Sequence, residues 1–271
     1  MLAVVLSAGV LGLLAVLIGF VWRARRRATE FSQPFPAEWR DALQRALPLY
    51  NRMPNELRTR LEPVVRAFLS DVRFVGCQGL AVTDEMRLVI ATQACLLVVE
   101  RDTRAYESLS SVLVYPDKFV VNDTDEDEAG VVTEGENVLS GQSLDTARII
   151  LSWQDVQESG MPGDAYNVVL HEFAHYLDNS VDGVLSDTGA RRESFEVWHE
   201  VLEREYEALC EAIERGEETL IDPYGAEHPA EFFAVATETF FEQPVELKRR
   251  HAALYAELQS FYGLDPAGWW V

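Results

Sequence analysis

Apolar positions along this chain fall into three regimes, each with its own period. Leu2 to Trp22 carry no charge at all, a continuous run of 21 residues. At about 1.5 Å of rise per helical residue, that run matches the roughly 30 Å hydrocarbon core of a bilayer. Residues 28–36, closing on Gln33-Pro34-Phe35-Pro36, break any period and read as a linker. From residue 37 the pattern turns amphipathic, with helices expected over 37–48 and 54–70, the latter placing Leu57, Leu61, Val64, Val65, Phe68 and Leu69 on one side. A further helix over 84–97 opens on the capping signal Thr83-Asp84-Glu85-Met86.

The middle third changes period. Ser111–Tyr115, Phe119–Val121, Val131–Thr133 and Ala147–Trp153 are short β-branched or aromatic runs separated by turn residues, which predicts a small sheet. Helical patterns return over 164–178, 191–214, 228–241 and 249–262. No internal repeat interrupts them. The expected architecture is therefore α+β, with helices before and after a small sheet. The chain divides into a transmembrane anchor with its basic flank (1–27), a linker (28–36) and one domain (37–271).

Charge fixes the expected orientation of the anchor. Arg23, Arg25, Arg26 and Arg27 follow the apolar run and nothing basic but the amino terminus precedes it, so the positive-inside rule puts the domain in the cytoplasm. A cleaved signal peptide would carry its basic residues before a shorter apolar stretch, the reverse of this order. Ala8, Gly12, Ala15 and Gly19 share one helix face and would let a second helix approach.

Composition narrows the function classes. A 48% apolar content over 271 residues supports one substantial core. A net charge of −22, from 45 acidic against 23 basic residues, excludes nucleic acid as a partner, because phosphate backbones demand the opposite sign. The three cysteines, Cys77, Cys95 and Cys210, have no metal-ligand spacing and fit a reducing compartment.

The chemistry concentrates in His171-Glu172-Phe173-Ala174-His175. Helix positions four apart lie one above the other, so His171 and His175 can offer two imidazole nitrogens to one cation, with Glu172 beside them as general base for a water at the metal. Two neutral imidazoles suit one zinc ion with an open position. The flanking Val168, Val169, Leu170, Phe173, Ala174 and Leu177 would bury the other faces of the helix, as a zincin active-site helix requires. The metzincin extension is excluded as the source of a third ligand, because it would need Gly at 178 and His at 181, where this chain has Asp178 and Val181. A carboxylate is then favoured. Glu193, Glu196 and Glu200 lie 18, 21 and 25 residues after His175 on a helix dense in charge, whereas Glu231 and Glu238 share one face of a strongly apolar helix. Spacing and burial together favour Glu231, since a buried carboxylate needs a partner.

Several separate segments together resemble one family. These are Val114–Val120 (VYPDKFV), Leu151–Val156 (LSWQDV), His171–Asp178 (HEFAHYLD), Asp222–Gly225 (DPYG), Pro229–Val235 (PAEFFAV) with Glu238, and Phe261–Pro266 (FYGLDP). In this order they resemble the MtfA-like zinc peptidases, also called the DgsA (Mlc) anti-repressor family, from about residue 37 to 266. The resemblance implies zinc held by His171, His175 and Glu231, Glu172 as catalytic base, and a gluzincin-type fold similar to the catalytic domain of anthrax lethal factor. It also implies aminopeptidase-like action on short peptides and, in enterobacterial members, binding to the transcriptional repressor Mlc. The chain departs from the soluble cytosolic members at its N-terminus. Its expected place is thus the cell inner membrane, single-pass, with the catalytic domain facing the cytoplasm, and a cytoplasmic protein is the alternative.

Other residues have two readings each. Tyr224 could donate a hydrogen bond to a developing oxyanion, or be a buried structural tyrosine. Asp178 and Glu238 could orient the imidazoles through the ring nitrogen not on the metal, and Asp178 could instead cap the helix end. The strand ending at Trp153 could take peptide by strand addition, or Trp153 could be core. Asp123, Asp125, Asp127 and Glu134 match positions of a calcium loop, but Glu128 stands where glycine is needed, which favours a solvated acidic turn. A rival function from another class is a zinc-containing binding protein that sequesters a transcriptional regulator without cleaving it. Such a structural site would close all four zinc positions and would not need Glu172.

Overall fold

The computed structural model describes residues 29, 33–101, 103–117, 148–160, 165–184 and 189–269. The apolar run 2–22, the runs 119–121 and 131–133 and the acidic segment 123–134 lie outside the described residues. No helix among the described residues is long and apolar enough to cross a membrane.

Regular structure begins where the linker prolines end. Pro36 is extended, and α1 follows over Ala37–Ala46. The single helix expected over 37–48 stops early and a short α2 takes over at Pro48–Arg52. The break is at Leu47 (φ −129°, ψ 95°), because the ring of Pro48 disfavours helical geometry in the residue before it. Helix α3 spans Asn55–Asp71 and buries Leu57, Leu61, Val64, Val65 and Phe68, the face that the periodicity predicts. Strand β1, Arg73–Gly76, was not expected, since four residues are too few to display an alternation. Gly76 is required there, because a Cβ would stand 1.9 Å from the carbonyl oxygen of Leu80.

Helix α4, Asp84–Leu96, starts at the Thr83 cap, whose hydroxyl accepts from the Met86 N–H at 3.2 Å. It is buried from Leu88 through Leu96 on every side, so it runs through the middle of the core. Strands β2 (Ser111–Tyr115) and β3 (Arg148–Ser152) complete a parallel sheet of order β1-β2-β3 among the described residues. The register pairs Val112 with Phe74 and Ile149, and Val114 with Gly76 and Leu151. Period two then divides the sheet: Val112, Val114, Ile149 and Leu151 face the main core, while Leu113 and Tyr115 join Cys77 in a small cluster on the other side.

Chain direction changes at Ser152, whose hydroxyl accepts from the Asp155 N–H and opens α5 (Trp153–Glu158). Trp153 is therefore a half-buried helix residue packed on the core, not the end of a strand. Helix α6, Val168–Val184, begins four residues later than expected and runs six residues further. Asp178 thus lies inside a helix, where it cannot cap the end. Helix α7 spans Gly189–Glu214 and α8 spans Pro229–Glu242, the latter buried from Phe232 onward. The helix expected over 249–262 is divided: α9 is Pro244–Arg250 and α10 is Ala252–Tyr262, with non-helical His251 between them.

Packing on α6 decides the rest. Its back, at Phe173, packs edge-on against Tyr106 (centroids 5.3 Å apart) and at a tilt against Phe68 of α3, while the Tyr106 hydroxyl donates to the Ala94 carbonyl at 2.8 Å. Its other side lies along α8.

Candidate metal centre

Each helix of the α6–α8 pair carries a polar stripe on the face turned to the other. On α6 the stripe starts at the capping residue and recurs every fourth position: Asn167, His171, His175. On α8 it falls at Glu231, Glu238 and Glu242, steps of seven and four that keep to one helical face. The two stripes face each other. His175 meets Glu231, His171 lies between Glu231 and Glu238, and Asn167 meets Glu238 and Glu242.

Three donor atoms converge at the open end of this seam. His171 Nε2 and His175 Nε2 are 3.1 Å apart, Glu231 Oε2 is 3.1 Å from the first and 3.3 Å from the second. These are the only three His, Cys, Asp or Glu residues among the described residues grouped closely enough to hold a metal ion. The remaining nitrogen of His171 is committed: Nδ1 lies 2.8 Å from Glu238 Oε1. A proton on Nδ1 leaves the Nε2 lone pair free to face the cluster. The other oxygen of Glu238 accepts a short hydrogen bond from the backbone N–H of Asn167.

Electrostatics follows burial and pairing. Desolvation works against a charged His171, yet hydrogen bonds to Glu231 and Glu238 overcome it and push its pKa up to about 10. Glu231 is likewise opposed by burial but is held down to about 2 by hydrogen bonds from the two histidines. Burial raises the Glu172 carboxyl above its usual range, with the two histidines opposing the rise, and it raises Glu238 as well.

A cleft of 790 Å³ opens on one side of the centre, with His171, Glu172, Tyr224 and Glu238 in its wall and Glu218 and Asp222 further along. Tyr224 comes from a short 3₁₀ turn, Pro223–Ala226, started by Asp222, whose side chain accepts from the Tyr224 N–H at 2.9 Å. The tyrosine is 47% exposed, its ring centroid 6.1 Å from that of His171, so it is no core residue.

The structure thus brings together His171, His175 and Glu231, with Glu172 and Tyr224 beside them. Glu196 and Glu200 are exposed on α7 and outside the group, and Glu193 falls among side chains that are not described. Asp178 is exposed and also outside it. Asn167 and Glu242 were missed. Their signals were present: an asparagine just before the first residue of an apolar helix, and a third glutamate on the apolar face that already held two.

The chain is similar to known proteins over most of its length. Residues 21–263 match the family described as glucose-regulated metallo-peptidase M90. An uncharacterized protein of Synechocystis is 39% identical over 261 residues, covering 94% of each chain. Proteins named Mlc titration factor A are 37% identical in Serratia proteamaculans (85% of this chain, 88% of the relative) and 33% identical in Yersinia enterocolitica (92% of each). The match spans both helices that build the centre, and the chain belongs to the M90 metallo-peptidase family, with proteins of the Mlc titration factor A type among its relatives.

Proposed function

We propose that this protein is a zinc-dependent peptidase of the gluzincin type, with His171, His175 and Glu231 as ligands and Glu172 as general base. The observation that carries this is the triangle of donor atoms with sides of 3.1, 3.1 and 3.3 Å. A tetrahedral ion with bonds of about 2.0–2.1 Å separates its donors by roughly 3.3–3.4 Å, so the triangle is close to one face of a zinc tetrahedron. Two imidazoles and one carboxylate are the donor set that zinc takes when a fourth position stays open for chemistry. When bound, zinc would act as a Lewis acid toward water and the substrate carbonyl.

The chain's own residues do the rest. Glu172, a partly buried carboxylate with a raised pKa, takes a proton from the attacking water and returns it to the leaving amine. Tyr224 donates its O–H to the oxygen on which charge develops. Glu238 keeps the proton of His171 on Nδ1 throughout. The acids Glu218 and Asp222 in the cleft suit a free α-amino group, which supports aminopeptidase-like action on short peptides. The apolar run 2–22 and its arginine flank support a tether to the inner membrane with the domain on the cytoplasmic side.

A second reading has one specific support, the name Mlc titration factor A carried by relatives in Serratia and Yersinia. It makes the chain a zinc-containing protein that sequesters a transcriptional repressor and needs no turnover. One variant separates the two. Glu172→Gln keeps both histidines and the carboxylate ligand, so it should retain zinc by metal analysis and lose peptide hydrolysis by several orders of magnitude. A variant that kept its turnover would remove Glu172 from the base role, and an unaltered cellular phenotype in a turnover-dead variant would favour sequestration.

A further inference from the structure

The seam between α6 and α8 does not end at the metal centre. Beyond His171 it continues inward through a run of hydrogen bonds that ends on an ion pair. Asn167 is the hub. It is 1% exposed, and all of its polar groups near the seam are engaged. Its backbone N–H donates to Glu238 Oε2, and its Oδ1 accepts from the Leu170 N–H at 3.1 Å, which caps α6. Its Nδ2 donates to Gln93 Oε1 of α4 at 2.7 Å and to Glu242 Oε1 of α8 at 2.8 Å. Glu242 in turn lies 3.6 Å from Arg52 of α2. Gln93 and Glu242 are themselves 1% and 4% exposed.

Every group in this chain acts on the next one toward the metal. The cap bond fixes where α6 begins, and so the azimuth of His171 one turn later. The two amide bonds fix the peptide plane of Asn167, and that plane aims the N–H at Glu238. Glu238, gripped on one oxygen, has its other oxygen placed for His171 Nδ1. A carboxylate free to turn would accept that proton less well and would let the ring swing. Burial makes each bond matter, because a buried polar group left without its partner is destabilising.

We infer that Asn167 is a positioning residue for the metal centre, which through Glu238 holds His171 in the ring orientation and tautomer that offer Nε2 to the metal, and that Gln93 and Glu242 are the anchors of its amide. The inference rests on the metal assignment above and extends it to residues two links from the ligands. Ordinary capping would ask only for an oxygen at this position. It would not ask for the amide, whose two protons are spent on another helix pair.

The test measures zinc affinity of the full-length chain by competition with a chromogenic chelator, together with the d–d spectrum of the Co(II)-loaded protein. Folding is checked by circular dichroism. Asn167→Asp keeps the cap oxygen and the shape but sets a carboxylate against Glu242. Asn167→Ser keeps a good cap and deletes the amide. Both should fold and bind zinc about 10–100-fold more weakly, with an altered Co(II) spectrum. The exchange variant Asn167→Asp/Glu242→Gln puts the amide on the other side of the same hydrogen bond and should restore affinity to within about threefold. Folded single variants with wild-type affinity and spectrum overturn the assignment, as does an exchange variant no better than Asn167→Asp. Loss of folding in both single variants without recovery in the exchange variant also overturns it, by making Asn167 a residue of the fold alone. Absence of zinc binding by the wild-type chain would instead overturn the metal assignment on which the inference stands.

Discussion

His171 gives its Nδ1 to Glu238 at 2.8 Å and its Nε2 to the space shared with Glu231 and His175, so one ring joins the interior of the fold to the cleft. The partner of Nδ1 is 5% exposed, and such burial strengthens the hydrogen bond. Glu238→Ala would leave the Nδ1 proton without its acceptor. Zinc affinity should fall by about 10–100-fold. Glu238→Gln, which keeps an accepting oxygen, should lose less, and equal losses in the two variants would speak against an orienting role.

Glu231 is the one carboxylate whose oxygen completes the donor triangle, while Glu200 is exposed on α7. Metal analysis should therefore find close to one zinc per chain in Glu200→Ala and little in Glu231→Ala. Zinc retained in Glu231→Ala would transfer the third ligand elsewhere.

Tyr224 stands beside His171 in the cleft wall with its hydroxyl ring half exposed. Burial together with the neighbouring Glu231 raises its pKa, so it stays a proton donor at neutral pH. Tyr224→Phe should lower kcat by about 10²-fold while leaving zinc content and KM nearly unchanged, the pattern of a group that acts in the transition state. A kcat within twofold of wild type would leave the tyrosine without a catalytic part.

Glu205 on α7 accepts from His251 Nδ1, at the break between α9 and α10, at 2.8 Å. That hydrogen bond, against the opposing effect of burial, lowers the Glu205 pKa below its ordinary 4.5. A carboxylate depressed in the folded state stabilises above its unfolded pKa and loses that contribution as pH falls through the folded value. Wild type should accordingly melt higher than Glu205→Gln at pH 6, by a margin equivalent to ~1 kcal/mol for a half-buried charge-assisted hydrogen bond. The margin should close as the pH is lowered below 4.5, and a gap that persists in acid would mean that Glu205 acts through packing.

Periodicity carried most of the helices, because an element that buries one face must repeat its apolar residues every three to four positions. It failed where a single residue overrides the pattern. Leu47 is forced out of the helix by Pro48, and the run into Trp153 looks like strand until the Ser152 hydroxyl caps a new helix. The four residues of β1 are too short for any period and are held by pairing to Ser111–Val114, which are distant in sequence.

By itself, the sequence determined the local half of the centre. His171 and His175 share a face because helical geometry is set by hydrogen bonds between residues four apart, and Glu172 is carried along by the same turn. The favouring of Glu231 came from spacing and burial together, and its place on one face with Glu238 from their separation of seven residues. Only the tertiary structure decided which glutamate touches which nitrogen. That depends on the register of α8 against α6, which is a non-local quantity set by the whole apolar interface between them. The same register gives Glu238 to His171 and Glu242 to Asn167, and it turns an asparagine that reads as a helix cap into the hub of a buried polar seam.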